Sequence, residues 1–151
     1  MSVTAMQAAK RACEASGWRL TNLQLQKILY IAYMVYAGRE GRPKLIDDES
    51  FEAWDYGPVL PDVYRNVRSF GARPIKNVFH GVDDMPEGEE ASIIDEAVSK
   101  LSGVAPFKLV EIVHDRHSAW ARHYDSRFGG GAIPHEHIVE EYMSRQKGVK
   151  K

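Results

Sequence analysis

"LTNLQLQKILYIAYMVYAG", residues 20–38, is the stretch that decides the fold. Thr21 and Gln24 form a Thr-x-x-Gln capping box, in which each side chain satisfies a backbone N–H group that the first turn of a helix leaves unpaired. The glycines beyond the stretch's apolar part are typical helix terminators. The pattern therefore predicts a helix that begins after Thr21 and ends near Gly38 or Gly41.

Apolar residues cover nearly every side of this predicted helix. One face carries Leu25, Ile28, Leu29, Ala32 and Tyr36, and much of the opposite face is apolar as well. A helix that is apolar all round is buried on several sides. We therefore expect it to be the central helix of the domain.

The flanking sequence predicts six more helices and one hairpin. The helices are expected at residues 3–16 and 91–101 and at segments that begin near Pro58, Pro106, Ser118 and Pro134. Residues 45–46 and 51–54 predict two short strands around a polar turn. The predicted fold is thus mainly α: a single compact domain of about seven helices around a buried central helix, with one small β-hairpin. Residues 1–145 form this domain, and residues 146–151 are predicted to be a flexible basic tail.

Composition places the chain among soluble globular proteins. Its 151 residues suffice for one core, and 44% are apolar against 27% charged. A lone cysteine, Cys13, predicts a reducing compartment. No apolar run reaches membrane-spanning length, and the first residues lack the apolar core of a signal peptide. We therefore predict a cytoplasmic protein with no membrane partner.

"WDYGPVLPDVY", residues 54–64, places two prolines between aromatic residues. Proline is tolerated in the first turn of a helix, where backbone N–H groups have no partner within the helix. Pro58 is therefore predicted to be the first helical residue, after a sharp bend at Gly57. This accounts for the prolines but not for Trp54, Tyr56 and Tyr64.

Residues 72–90 form the one long irregular region that the sequence predicts. Its second half is rich in aspartate and glutamate. A loop of this length is usually mobile or functional, but acidic runs are more often solvated surface. We favour a solvated acidic loop.

No pattern compels an enzyme. His114, Asp115, His117 and His123 lie within ten positions, but two histidines three apart across a helix end do not match a zinc-protease motif. Cys13 falls on a predicted core stripe, where thiols are inert. We expect no catalytic residue, no metal and no cofactor. An enzyme that uses the histidines remains a third alternative.

Charge argues against direct nucleic-acid binding. The 20 lysines and arginines are matched by 21 aspartates and glutamates, for a net charge of −1. Specific recognition of DNA normally needs a clustered basic face. A DNA-binding transcriptional regulator is nevertheless kept as the alternative function, because the central helix begins with amide-bearing side chains.

Two motifs resemble a known family. "TNLQLQKILY", residues 21–30, and "AWDYGPVLPDVY", residues 53–64, are similar to the conserved helix and Gly-Pro turn of the Panacea antitoxin domain, whose members include SocA-like antitoxins and GepA-like phage-associated proteins. "LVEIVHDRHSAWARH", residues 109–123, and "AIPHEHIVEEY", residues 132–142, resemble its distal half more loosely. The resemblance spans nearly the whole chain.

This resemblance implies a mainly helical bacterial antitoxin that neutralises a cognate protein toxin by direct binding. SocA-like members resemble proteolytic adaptors that deliver the toxin to the ClpXP protease, and other members act by sequestration. ClpX is therefore a further expected partner. The oligomeric state stays open, and a homo-oligomer is compatible with the sequence.

The Gly-Pro turn is the predicted partner-binding site. Tryptophan and tyrosine are enriched at binding hot spots, and a rigid turn lowers the entropic cost of ordering them. The predicted partner-binding residues are Lys27, Tyr30, Trp54, Tyr56, Pro58, Val59, Tyr64, His114 and Trp120. For Trp54 and Tyr64, packing in the core is the favoured alternative. Lys27 must extend to solvent, pair with a carboxylate or face an interface.

Overall fold

A central helix and six others surround one core in the computed structural model, which describes residues 3–39, 41, 43–76, 78–125 and 129–149. The helices are α1 (Ala5–Ala15), α2 (Asn22–Arg39), α3 (Pro61–Val67), α4 (Glu89–Leu101), α5 (Pro106–Val113), α6 (Ala119–His123) and α7 (His135–Val149). The strands are β1 (Glu52–Trp54), β2 (Gly57–Val59), β3 (Tyr124–Asp125) and β4 (Gly129–Gly130), and a single 3-10 turn covers Arg68–Phe70. The prediction of a mainly α fold with seven helices is confirmed for this part of the chain.

Helix α2 is the centre of the fold, as predicted. Its capping box forms: the Gln24 N–H donates to Thr21 Oγ1 at 3.2 Å, and the Thr21 N–H donates to Gln24 Oε1 at 3.0 Å. Helices α1, α3, α4, α5 and α7 and strand β2 all pack against α2. Twelve of its residues are buried, which explains why its sequence is apolar on every side.

The predicted hairpin was placed one strand too early. Strand β1 pairs antiparallel with β2, so that Ala53 faces Pro58 and Trp54 faces Gly57 across the turn. The predicted first strand at residues 45–46 instead contributes Ile46 to an isolated bridge with Val3. Asp55 and Tyr56 form the turn of the hairpin, and Gly57 follows them with φ at +114°, a conformation that favours glycine.

The prediction that Pro58 begins a helix was wrong. Pro58 lies in β2, where an edge strand of a two-stranded hairpin tolerates a residue without an N–H group. Pro61 takes the first position of α3, and Asp62 follows in the first turn. The two prolines therefore rigidify two consecutive elements, a strand and a helix, instead of one.

A second short ladder was not predicted. Strands β3 and β4 pair antiparallel over two residues each. The glycine run after β3 lets the backbone approach β1 closely: a Cβ at Gly130 would overlap the Ala53 carbonyl oxygen. The Ala53 N–H donates to the Gly131 carbonyl at 3.0 Å, so the second ladder supports the first.

Residues 72–76 and 78–88 are irregular up to the start of α4, as predicted, but they are tied to the helices. Ile75, Phe79 and Met85 are buried in the core. The exposed carboxylates of Asp84 and Glu87 form ion pairs with lysine and arginine side chains of α1. The acidic loop is thus solvated and also anchored.

The last helix is longer than the sequence suggested. Helix α7 begins at His135, one residue after Pro134, and continues to Val149. It therefore passes residue 146, where the tail was predicted to begin, and the end of that tail at residues 150–151 lies outside the described residues. The division into domain and tail stays a prediction. None of the helices, over the described ranges, is long and apolar enough to span a bilayer.

Candidate partner-binding groove

A groove of about 370 Å³ lies where the start of α2, the β1–β2 turn and α3 meet. Five of the nine predicted partner-binding residues line it: Lys27, Trp54, Tyr56, Val59 and Tyr64. Most of its surface is apolar, which is usual for sites that receive ligands or side chains of a partner. The elements that carry both family-like motifs therefore converge on one concave surface.

Lys27 lies at the floor of the groove with no solvent-exposed surface. Its Nζ donates to the Pro58 carbonyl oxygen at 3.0 Å. Burial lowers the pKa of Lys27 to about 7, because the charged form is poorly solvated there. Of the three arrangements that the sequence left open for Lys27, solvent exposure is excluded and no described carboxylate forms an ion pair with it.

Gln26, the neighbour of Lys27, holds the other side of the Gly-Pro turn. Its Oε1 accepts a hydrogen bond from the Leu60 N–H at 2.8 Å, and its Nε2 donates to Asn22 Oδ1 at 3.4 Å. Consecutive α2 side chains thus bind the backbone at Pro58 and at Leu60. Because both bonds are buried, the turn is held rigidly against the central helix.

The walls of the groove are aromatic. The Trp54 and Tyr64 rings pack edge to face with centroids 4.9 Å apart, and each is partly exposed. Neither residue is therefore purely core or purely surface. Tyr56 is 57% exposed and packs edge to face with Phe107, which is 66% exposed. This pair extends the apolar surface from the groove onto α5.

His114 and Trp120 lie behind the hairpin and do not line the groove. The His114 and Trp120 rings stack with centroids 3.8 Å apart, and Tyr124 stacks on Trp120 at 4.8 Å. Trp120 Nε1 donates to the Trp54 carbonyl at 2.6 Å, and the Tyr124 hydroxyl donates to Asp55 Oδ1 at 2.6 Å. The stack therefore supports the β1–β2 turn from below. Burial, and next the charge of Lys27, lowers the pKa of His114.

Tyr30 is fully buried in the core. Its hydroxyl donates to Glu141 Oε1 at 2.6 Å, and the same oxygen accepts the Ala119 N–H at 3.0 Å. Arg145 pairs with the other oxygen of this carboxylate at 2.7 Å. The network links α2, α6 and α7, so Tyr30 is placed to hold helices together and does not reach the groove. Its assignment to partner binding stays a prediction.

Sequence reasoning missed Phe107, Asn22 and Gln26. Phe107 could have been found, because it falls outside the inward-facing stripe of α5 that carries Leu109 and Val113. A large apolar residue outside a core stripe is a candidate member of a contiguous exposed apolar patch, and such patches mark interaction sites. The amides of α2 carried no comparable signal, since capping side chains at a helix start look the same in sequence.

The histidine cluster does not assemble a metal site. No group of three or more histidine, cysteine, aspartate or glutamate side chains is arranged to hold an ion within the described ranges. His123 contacts His137 instead, with 2.7 Å between Nε2 and Nδ1. Burial raises the pKa of Cys13 to about 12, so its thiol is protonated at neutral pH.

A comparison with known protein families matches the segment that carries most of the groove residues. The family described as "Antitoxin SocA-like, Panacea domain" matches residues 25–121, which is more than half of the chain and contains the groove from Lys27 to Tyr64. The chain belongs to this family. The resemblance predicted from the two motifs is therefore confirmed, and most residues that line the groove lie within the segment that matches the Panacea domain.

One curated relative of this Panacea domain is antitoxin SocA of Caulobacter vibrioides (strain NA1000 / CB15N). It is 29% identical over 111 residues, which cover 67% of the chain and 58% of the relative. The chain thus spans less than two thirds of that protein's length. No solved structure gives a significant match.

Proposed function

We propose that this Panacea-domain protein is an antitoxin that neutralises a protein toxin by direct binding. Membership in a family of SocA-like antitoxins and the likeness to antitoxin SocA support this function. The observation that carries the binding role is the aromatic groove, since the family-like Gly-Pro motif itself forms its walls. A cytoplasmic location agrees with such a role and is part of the proposal.

The surface chemistry supports binding to a folded protein. Tyr56 and Phe107 expose large rings beside the groove, and exposed aromatic pairs of this kind are typical of interface hot spots. The turn that carries Tyr56 is held by the Lys27 and Gln26 hydrogen bonds. Little conformational entropy is therefore lost when a partner packs against it.

The direct test uses the product of the gene adjacent to this one as the candidate toxin. Co-expression of the Panacea protein is expected to relieve growth arrest caused by that product. Tyr56→Ala and Phe107→Ala are each expected to weaken the purified complex by about tenfold or more. Met143→Ala is the matched control, because Met143 is 38% exposed on α7 and lies outside the groove.

Circular dichroism of each variant checks that the fold is intact. The binding surface is wrong if both aromatic variants bind as tightly as the parent protein. The antitoxin function itself is wrong if co-expression leaves the growth arrest unchanged while the protein is produced at normal levels.

The finer proposal is that the chain is a proteolytic adaptor. In a reconstituted assay, ClpXP with ATP is expected to degrade the toxin faster when the Panacea protein is present. A toxin that stays intact in the complex, with its activity suppressed, would instead indicate sequestration. Binding of immobilised ClpX to the chain is the second readout.

A further inference from the structure

Lys27 differs from the cations on α1 in having no described carboxylate partner. Arg11 lies 2.6 Å from Asp95 and 2.7 Å from Glu87, whereas Lys27 has the Pro58 carbonyl. An ammonium group carries three N–H donors, and a buried charge is costly unless it is paired. A methionine would fill a similar volume without that cost. The contacts within the free protein therefore do not explain why a lysine stands at this buried position.

None of the described groups that face Lys27 supplies it with a carboxylate partner. The titratable groups around it are His114 at the end of α5, Asp55 and Tyr56 in the turn, and Tyr64 on α3. Asp55, the one carboxylate among them, is exposed and accepts the Tyr124 hydroxyl.

The start of α2 adds further donors. Asn22 lines the groove, and its Oδ1 already accepts a hydrogen bond from Gln26, so its amide nitrogen is left to donate. The first turn of α2 contains no acidic residue, and the helix dipole favours a negative charge near that end. The start of α2, like Lys27, therefore favours a negatively charged group in the groove.

We propose that the groove binds an acidic side chain of the partner, whose carboxylate pairs with Lys27 Nζ while neighbouring apolar atoms pack against Trp54, Tyr56 and Tyr64. The inference rests on the proposed function, because the partner is then the toxin. Nζ has no exposed surface in the free protein, so it must shift toward the groove, where its three N–H groups let it donate to the carboxylate and still donate to the Pro58 carbonyl. The four-carbon stem of lysine permits such a shift.

Proton uptake is a consequence of this pairing. Near neutral pH a fraction of the free protein has an uncharged Lys27, because burial holds its pKa at about 7. A carboxylate at Nζ stabilises the ammonium form, so binding takes up a proton. Affinity is therefore expected to fall as the pH rises above about 7.

Two capped peptides test the pairing without the toxin. Acetyl-Leu-Asp-Leu-amide carries the carboxylate, and acetyl-Leu-Asn-Leu-amide is its uncharged isostere. The aspartate peptide is expected to bind about tenfold tighter, as a charge-assisted hydrogen bond would produce. In the parent protein it should also raise the pH midpoint of the Lys27 side-chain resonances measured by NMR. Acetyl-Leu-Leu with a free carboxyl end is the third probe.

The preference for the aspartate peptide should disappear in Lys27→Met and persist in Lys108→Met. Lys108 is an exposed lysine on α5, outside the groove, and it is the matched control. If Lys27→Met does not fold, the pairing is decided by the pH midpoint of the Lys27 resonances in the parent protein, measured with and without the aspartate peptide. Equal binding of the aspartate and asparagine peptides, an unmoved Lys27 midpoint, or tighter binding of the free carboxyl end would each overturn the proposal.

The failure of this inference and the failure of the antitoxin function can be told apart. A toxin that binds the protein while the peptides show no carboxylate preference overturns the acidic side chain and leaves the proposed function standing. A clear carboxylate preference in a protein that does not relieve toxicity supports the groove chemistry and overturns the antitoxin role.

Discussion

On two faces of the molecule an irregular segment packs against helices. The two faces differ in whether the cation beneath the segment is paired with a carboxylate. On the first, which we call the loop face, the loop residues 78–88 contact α1, and Arg11 pairs with Glu87 of the loop and Asp95 of α4. On the second, the groove face, the Gly-Pro turn covers the start of α2, and Lys27 has no described carboxylate partner. Arg11 on the loop face is therefore paired with carboxylates in the free protein, whereas the buried Lys27 on the groove face is not.

The two faces also differ in how closely they are packed at their glycines. Gly57 on the groove face has φ +114°, and a Cβ there would lie 2.8 Å from Val113 Cγ2 and 2.9 Å from Lys27 Cε. Gly81 on the loop face has φ +82°, and a Cβ at that position would meet no other atom within 4 Å. The groove face has no spare space at its turn, and the loop face does.

The largest expected effect is that of Gly57→Ala. Backbone strain and overpacking add, so we expect the free energy of unfolding to fall by about 3 kcal/mol. Gly81→Ala, which has the strain without the clash, should lose about 1 kcal/mol. Urea titrations of both variants measure the difference. Equal losses would show that the Gly57 turn is not tightly packed.

The second effect is a dependence on pH that comes from Lys27. Its pKa is about 7 in the folded protein and near the ordinary 10.5 in the unfolded chain. Between these values the unfolded chain binds more protons, so stability rises with pH. From about pH 7 to about pH 9 the parent should gain about 2 kcal/mol relative to Lys27→Met.

Unfolding curves of the parent and the variant at several pH values give this difference directly. Burial also raises the pKa of Glu49 to about 7 and that of Cys13 to about 12, but both groups are present in both proteins and cancel. A difference that stays constant with pH would mean that Lys27 keeps its charge in the folded protein.

The third effect belongs to the loop face. Arg11→Met removes two ion pairs and keeps most of the aliphatic stem. Because the carboxylate partners are partly exposed, we expect a loss of about 1 kcal/mol or less. The loss should shrink in about 1 M salt, where the Debye length is short. A large loss that salt does not reduce would show that this face is held by packing instead.

The comparison also explains which features the sequence could predict. Features that depend on neighbours along the chain were predicted: the Thr21 capping box, the buried α2 and the helix that begins at Ser118. Features that depend on which segments meet were not. Residues 45–46 have strand-like side chains, but Ile46 pairs with Val3 because α1 lies beside it.

The candidate site follows the same rule. The aromatic motif indicated a binding surface, and five predicted residues do line one groove. Tyr30 belongs with Lys27 to the other family-like motif, but it is fully buried with its hydroxyl on Glu141, a residue 111 positions away. Sequence spacing alone cannot separate a side chain that faces the groove from one that faces α7.

The smallest expected effect on stability is that of Phe107→Ala, and its size sharpens the comparison. Phe107 is 66% exposed and touches Tyr56 at a centroid distance of 6.2 Å, so removing the ring should change the free energy of unfolding by about 0.5 kcal/mol or less. The same change is expected to weaken binding of the toxin by about tenfold or more. Thermal unfolding and a binding titration on one sample measure both quantities. If the free energy of unfolding falls by more than the binding free energy, the exposed pair serves to stabilise the fold. The groove face would then not differ from the loop face in being built for a partner.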